Sequence, residues 1–104
     1  MRQINAELQE IAGTLREKYG TELKQIIFFG SRVRGDATAE SDYDCLLVFK
    51  NVTSLLKKDL DKLVADWLLE KGIVFSWVAL SEMDLERFRY EPFLQNARRE
   101  GVCV

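Results

Sequence analysis

Histidine is absent from this 104-residue chain. Ser-His-Asp and Cys-His mechanisms, which need an imidazole as general base, are therefore excluded. The two cysteines, Cys45 and Cys103, are too few for a disulfide framework and, without histidine, for a zinc site. Cys45 stands inside an apolar run and is expected to be a small core residue. No apolar run approaches ~18 residues, so no membrane span is expected. The segment from Met1 to Glu7 is polar where a secretory signal needs an apolar centre, which makes the cytoplasm the expected location. Excess positive charge is missing too: the net charge is -2. Direct nucleic-acid binding over a broad basic surface is therefore not expected. A nucleotide remains open, because a bound metal ion reverses the local sign. With no repeat, low-complexity tract or linker, residues 1–104 read as a single domain. Its 47% hydrophobic share suits a modest core that needs no covalent staples.

What is present centres on the stretch from Phe29 to Val48. An apolar run, Ile26-Ile27-Phe28-Phe29, stops at Gly30-Ser31, and a second run, Cys45 to Phe49, opens behind two carboxylates, Asp42 and Asp44. Side chains two apart in a strand share a face, so Asp42 and Asp44 would stand together. Adjacent like charges raise each other's proton affinity unless a cation lies between them. A hard, oxygen-preferring ion such as Mg²⁺ meets that need and is commonly shared with substrate phosphates. Gly30-Ser31 offers those phosphates a seat, because glycine admits close backbone approach and a strand-to-helix turn presents N–H groups. Arg32 and Arg34 are placed to clamp the same phosphates. Taken singly, each feature has a plainer reading. A Ser-Asp pair is ordinary turn chemistry, Gly-Ser can simply cap a strand, and the arginines can be solvated. A P-loop is ruled out, since Gly35 is followed by Asp36-Ala37 rather than Lys and a hydroxyl residue.

Gly30-Ser31, Gly35 and Ser41-Asp42-Tyr43-Asp44 resemble the G-S-x-x-x-G…S-D-x-D signature of the nucleotidyltransferase superfamily that includes DNA polymerase β. The short chain is similar to its minimal nucleotidyltransferase (MNT) domains, often the antitoxin half of HEPN/MNT toxin–antitoxin pairs. The resemblance implies a palm-like α/β fold and a substrate of Mg²⁺ with a nucleoside triphosphate, ATP first. It also implies transfer of a nucleoside monophosphate to a hydroxyl, with a HEPN protein as acceptor. Asp42 and Asp44 would hold Mg²⁺ and serve catalysis; Gly30, Ser31, Arg32 and Arg34 would bind the nucleotide. Transferases of this family generally carry a third carboxylate on the strand beside the pair. Here Ile73 to Val78 contains no acid, and Ser76 aligns at that position. That departure supports an alternative: a weak or inactive module of the same fold that neutralises a partner by binding it. A homo-oligomer is compatible with either.

The remaining pattern predicts a small mixed sheet of three or four strands flanked by helices. Ile4, Leu8, Ile11, Ala12, Leu15 and Tyr19 give an amphipathic helix over 4–19, ended by Gly20. Strands are predicted at 23–29, 43–49 and 73–80, with a helical turn at 31–34 and a polar loop at 36–41. Thr53 or Ser54 caps a helix whose stripe is Leu56, Leu60, Leu63, Val64, Trp67 and Leu68, ended by Gly72. Ser81 to Asp84 fits a capping box, and Pro92 fits the first residue of a helix ended by Gly101. Trp67, Phe75 and Trp77 are expected in the core. Phe88, Tyr90, Phe93 and Leu94 form an aromatic cluster that either packs onto the sheet or meets a partner.

Overall fold

A computed structural model describes residues 6–30 and 43–104. Helix α1 (Ala6–Tyr19) leads through a 3-10 turn (Gly20–Glu22) into strand β1 (Leu23–Phe29). Strand β2 (Tyr43–Phe49), helix α2 (Ser54–Lys71) and strand β3 (Phe75–Ser81) follow. Helices α3 (Glu82–Arg87) and α4 (Pro92–Glu100) and a short strand β4 (Val102–Cys103) complete the order. The sheet runs β3-β2-β1-β4; β1 is antiparallel to β2 and β4, and β2 is parallel to β3. The expected mixed α/β sheet with flanking helices is thus observed.

Local chemistry sets most boundaries. Gly20 and Gly72 take positive φ, 55° and 67°, which a residue without Cβ adopts freely. At Gly72 the cap N–H donates to the Leu68 carbonyl. The Thr53 hydroxyl accepts from Leu56 N–H at 3.1 Å, so Thr53 rather than Ser54 is the cap of α2. Ser81 and Asp84 form the reciprocal capping box of α3, and Pro92 begins α4.

Two apolar layers sandwich the sheet. On one face α1 presses Leu8, Ile11 and Leu15, and α2 presses Leu60 and Trp67, onto Phe28, Tyr43, Cys45, Leu47, Phe49 and Phe75. Each such side chain contributes about 1.5–3 kcal/mol on burial. On the other face Leu94 and Ala97 of α4 close over Ile27, Leu46 and Val48, with Leu85 of α3 at the margin. β2 is central and apolar toward both layers from Cys45 on, as its sequence requires.

Four expectations change. The third strand begins at Phe75 rather than Ile73, because its pairing with β2 starts at the Tyr43–Phe75 register. Leu68 is 51% exposed, while Leu60 and Trp67 of the same stripe are buried and Leu56, Leu63 and Val64 pack half-buried against the core. Val102–Cys103, past the helix stop at Gly101, is a strand formed by pairing with Ile27 and Phe28. The aromatic cluster splits: Leu94 is buried, while Phe88, Tyr90 and Phe93 are exposed. The expected turn at 31–34 and loop at 36–41 lie outside the described residues, as does the start of the first helix.

Candidate functional site

The site forms where β1 ends and β2 begins. Antiparallel pairing sets Phe29 opposite Asp44, and parallel pairing sets Ser76 opposite Asp44 on the other side. Paired residues share a face of the sheet, so Asp44 stands between Phe29 and Ser76 on the α4 side. Asp44 is half-buried, whereas Ser76 is exposed.

Gly30 adopts φ of 87°, a conformation that side-chain-bearing residues rarely take. A Cβ built there would overlap Asp44 Oδ2 and stand 3.1 Å from Asp44 Cγ. Glycine at this point therefore serves the carboxylate directly: its missing side chain is the space that Asp44 fills. Two residues fourteen positions apart in the chain, both singled out by the motif, are brought into contact.

The segment is fixed from behind by a residue whose role the sequence did not disclose. Tyr43 lies between the two motif aspartates, yet its ring is buried on the α1 face, and its hydroxyl donates to Glu7 of α1. Its N–H donates to the Val74 carbonyl at 2.9 Å, tying the start of β2 to β3. The available signal is alternation: a tyrosine between two polar strand residues faces the core, where its hydroxyl needs a partner. Next along β2, burial pushes the Cys45 thiol well above its ordinary value, and the neighbouring Asp44 charge adds to this. Cys45 is accordingly a core residue, as expected, and not a nucleophile.

Ser31, Arg32, Arg34 and Asp42 lie outside the described residues, so their expected roles carry over as expectations. The described oxygen donors are the Asp44 carboxylate and the Ser76 hydroxyl. Both are hard ligands of the class Mg²⁺ prefers. Among the described residues no group of three acidic, Cys or His side chains could hold a metal. β3 carries no acid along Phe75–Ser81.

A cavity of about 600 Å³ lies elsewhere, between the end of α1 and the start of α2, lined by Tyr19, Leu55, Leu56, Asp59 and Lys62 among others. It opens on the sheet face opposite to Asp44. There the Tyr19 hydroxyl donates to Asp59 Oδ2 at 2.6 Å, and Lys18 is 3.5 Å from the same oxygen. The tyrosine bond, with help from Lys18, holds the Asp59 carboxyl below its usual value.

Residues 8–98 match the family model described as nucleotidyltransferase domain. A Methanocaldococcus jannaschii protein, named as a candidate protein adenylyltransferase, is 35% identical over 98 residues, covering 90% of both chains. A second from the same organism, named likewise, is 31% identical over 97 residues, which span 88% of this chain and 64% of that one. The protein adenylyltransferase MntA of Thermococcus cleftensis is 49% identical over 43 residues, 41% of each chain. Among solved structures, a candidate nucleotidyltransferase from Sulfolobus solfataricus superposes with a TM-score of 0.55. It is 24% identical, and the match covers 91% of this chain and 73% of that one, a likeness of fold.

Proposed function

The chain belongs to the nucleotidyltransferase domain family, and from that premise we propose that it binds Mg²⁺·ATP and adenylylates a hydroxyl on a partner protein. The observation that carries this reading is the contact between Gly30 and Asp44 at the head of β2, beside Ser76. It joins the glycine of the G-S turn to an acid of the S-D-x-D segment, so one end of the two central strands can receive both a phosphate and a cation.

Asp42 and Asp44 would hold Mg²⁺, which supplies charge neutralisation to the triphosphate when bound. Gly30 and Ser31 would offer backbone approach and N–H groups to the phosphates, with Arg32 and Arg34 as clamps. The acceptor hydroxyl oxygen attacks the α-phosphorus, the bond to the β-phosphate oxygen breaks, pyrophosphate leaves, and the hydroxyl proton passes to solvent. The names of the relatives, as protein adenylyltransferases, favour ATP and a protein acceptor. The likeness to MNT domains extends this to a HEPN-type toxin as acceptor, with this chain as antitoxin acting in the cytoplasm. Incubating the chain with Mg²⁺·ATP and such a partner should add the mass of one adenosine monophosphate to the partner in intact mass spectrometry. An unmodified partner that still binds the chain would overturn the catalytic reading.

That second outcome corresponds to a binding module, and one observation favours it: the position paired with Asp44 on β3 is Ser76, not an acid. A cation held by Asp42 and Asp44 alone can carry a triphosphate while leaving the nucleophile poorly activated. Ser76→Asp distinguishes the two. Extra stabilisation by Mg²⁺ or Mn²⁺ with increased transfer would identify the missing acid as the limit on catalysis. Stabilisation without transfer would place the limit in how the acceptor is presented.

A further inference from the structure

The two margins of the sheet are built differently. On one, β4 is two residues long, a short edge of the kind that discourages pairing with another chain. On the other, β3 runs for seven residues, Phe75–Ser81. From Gly72 through Ser81 there is no charged residue and no proline, the usual devices that blunt an edge.

The ladder phase of β3 is fixed by the Tyr43 N–H to Val74 carbonyl bond. In a parallel pair, backbone groups of alternate residues turn to the neighbouring strand. Those of Val74, Ser76, Val78 and Leu80 therefore turn to β2, and those of Phe75, Trp77, Ala79 and Ser81 turn outward. Ser81 is already committed, because its N–H donates to Asp84 Oδ2 in the capping box. Among the described residues no hydrogen bond reaches the outward groups of Phe75, Trp77 and Ala79.

We propose that β3 is a self-pairing edge, through which a second copy of this chain joins antiparallel about a two-fold axis at Trp77. This register sets Trp77 opposite Trp77 of the second copy and Phe75 opposite its Ala79, so every outward group on both copies gains a partner. It pairs one large side chain with one small, and places two half-buried tryptophans across the axis as an aromatic cross-strand pair. On the other face it sets Val74, 50% exposed, against Leu80 of the second copy. A neutral strand has no like charges to set against itself, which makes a second copy the fitting occupant. Centring on Val78 instead would spend Phe75 on the occupied groups of Ser81, leaving it unpaired.

Sedimentation equilibrium across concentration should show a reversible species of twice the 12.0 kDa chain mass. The register is read by cysteine mixing in a Cys103→Ser background, which removes the exposed native thiol. Ser76 and Val78 of opposite copies form a non-hydrogen-bonded pair, with Cα atoms about 4.5 Å apart, within disulfide range. A Ser76→Cys chain mixed with a Val78→Cys chain should give a covalent dimer on oxidation, while neither alone should. A single 12.0 kDa species at the highest soluble concentration overturns the proposal. So does a dimer that crosslinks in neither combination, or one in which Val78→Cys crosslinks with itself.

Discussion

On one face of the sheet, two long helices, α1 and α2, seal a continuous apolar layer from Leu8 to Phe75. On the other, among the described residues, two short ones, α3 and α4, cover the middle, around Leu46, Val48 and Leu94. The difference has a chemical consequence. β2 exposes no polar side chain to the sealed face, since Tyr43 closes even the last position there with a buried ring. On the other face Asp44 is half-buried and Ser76 exposed, so charge there can remain hydrated. A carboxylate able to hold a cation needs partial access to water and ligand, and among the described residues of β2 Asp44 on the second face has it. Stability is thus concentrated on one side and candidate chemistry on the other.

The sharpest test of this division is a cavity on the sealed face. Trp67 is buried and meets Phe75 edge-on, with ring centroids 5.4 Å apart. Trp67→Ala should cost about 3–5 kcal/mol in denaturant unfolding. Mg²⁺·ATP affinity per folded molecule should be unchanged; a matching loss of affinity would break the comparison.

Gly30→Val strikes the second face. Backbone strain at positive φ costs about 1–3 kcal/mol, and the new side chain must also displace the Asp44 carboxylate. Unfolding and nucleotide titration on the same variant should show a stability loss together with lost binding. Retained binding per folded molecule would reduce Gly30 to a local turn residue.

Asp42→Asn with Asp44→Asn keeps shape and removes charge. Mg²⁺·ATP binding should weaken by at least ~2 kcal/mol, the scale of charge-assisted contacts. If the two aspartates stand together as the strand spacing predicts, stability should hold or rise as their repulsion is removed. Equal affinity in isothermal calorimetry would remove both residues from the site.

The smallest effect belongs to Tyr19 and Asp59, on the sealed side. Asp59 has a depressed carboxyl in the folded state, chiefly through the Tyr19 hydrogen bond. Its contribution is therefore present above the ordinary carboxylate value and lost as pH falls through the folded one. Burial first, then the Asp59 bond, raises the Tyr19 phenol, so that side's contribution is lost only as alkaline pH rises through the raised value. The Asp59 side chain is 40% exposed, which keeps the effect modest. Melting curves of wild type and Tyr19→Phe should differ slightly near neutrality and converge in acid. A gap that persists below the carboxylate range would assign the difference to packing alone.

Local chemistry is what the chain wrote plainly. The strands at 23–29 and 43–49, the Thr53 cap, the Gly72 stop and the Ser81 capping box were legible, because each is settled by residues within a few positions. The site was half legible. Gly30 and Asp44 stood out by residue type, and the register of Ser76 beside Asp44 agrees with the alignment read from the strand. Other features depend on partners distant in sequence. β4 is a strand only because Ile27 and Phe28 offer it an edge, and β3 starts where Tyr43 meets Phe75. Leu68 reads as core from its helical spacing, yet it is half exposed once α2 packs on the sheet. Why residue 30 must be glycine was likewise invisible, since its reason, the Asp44 carboxylate, arrives only when β1 and β2 pair. Periodicity and capping are short-range properties that a sequence carries in itself. Register and face are long-range ones, fixed only when the strands close against each other.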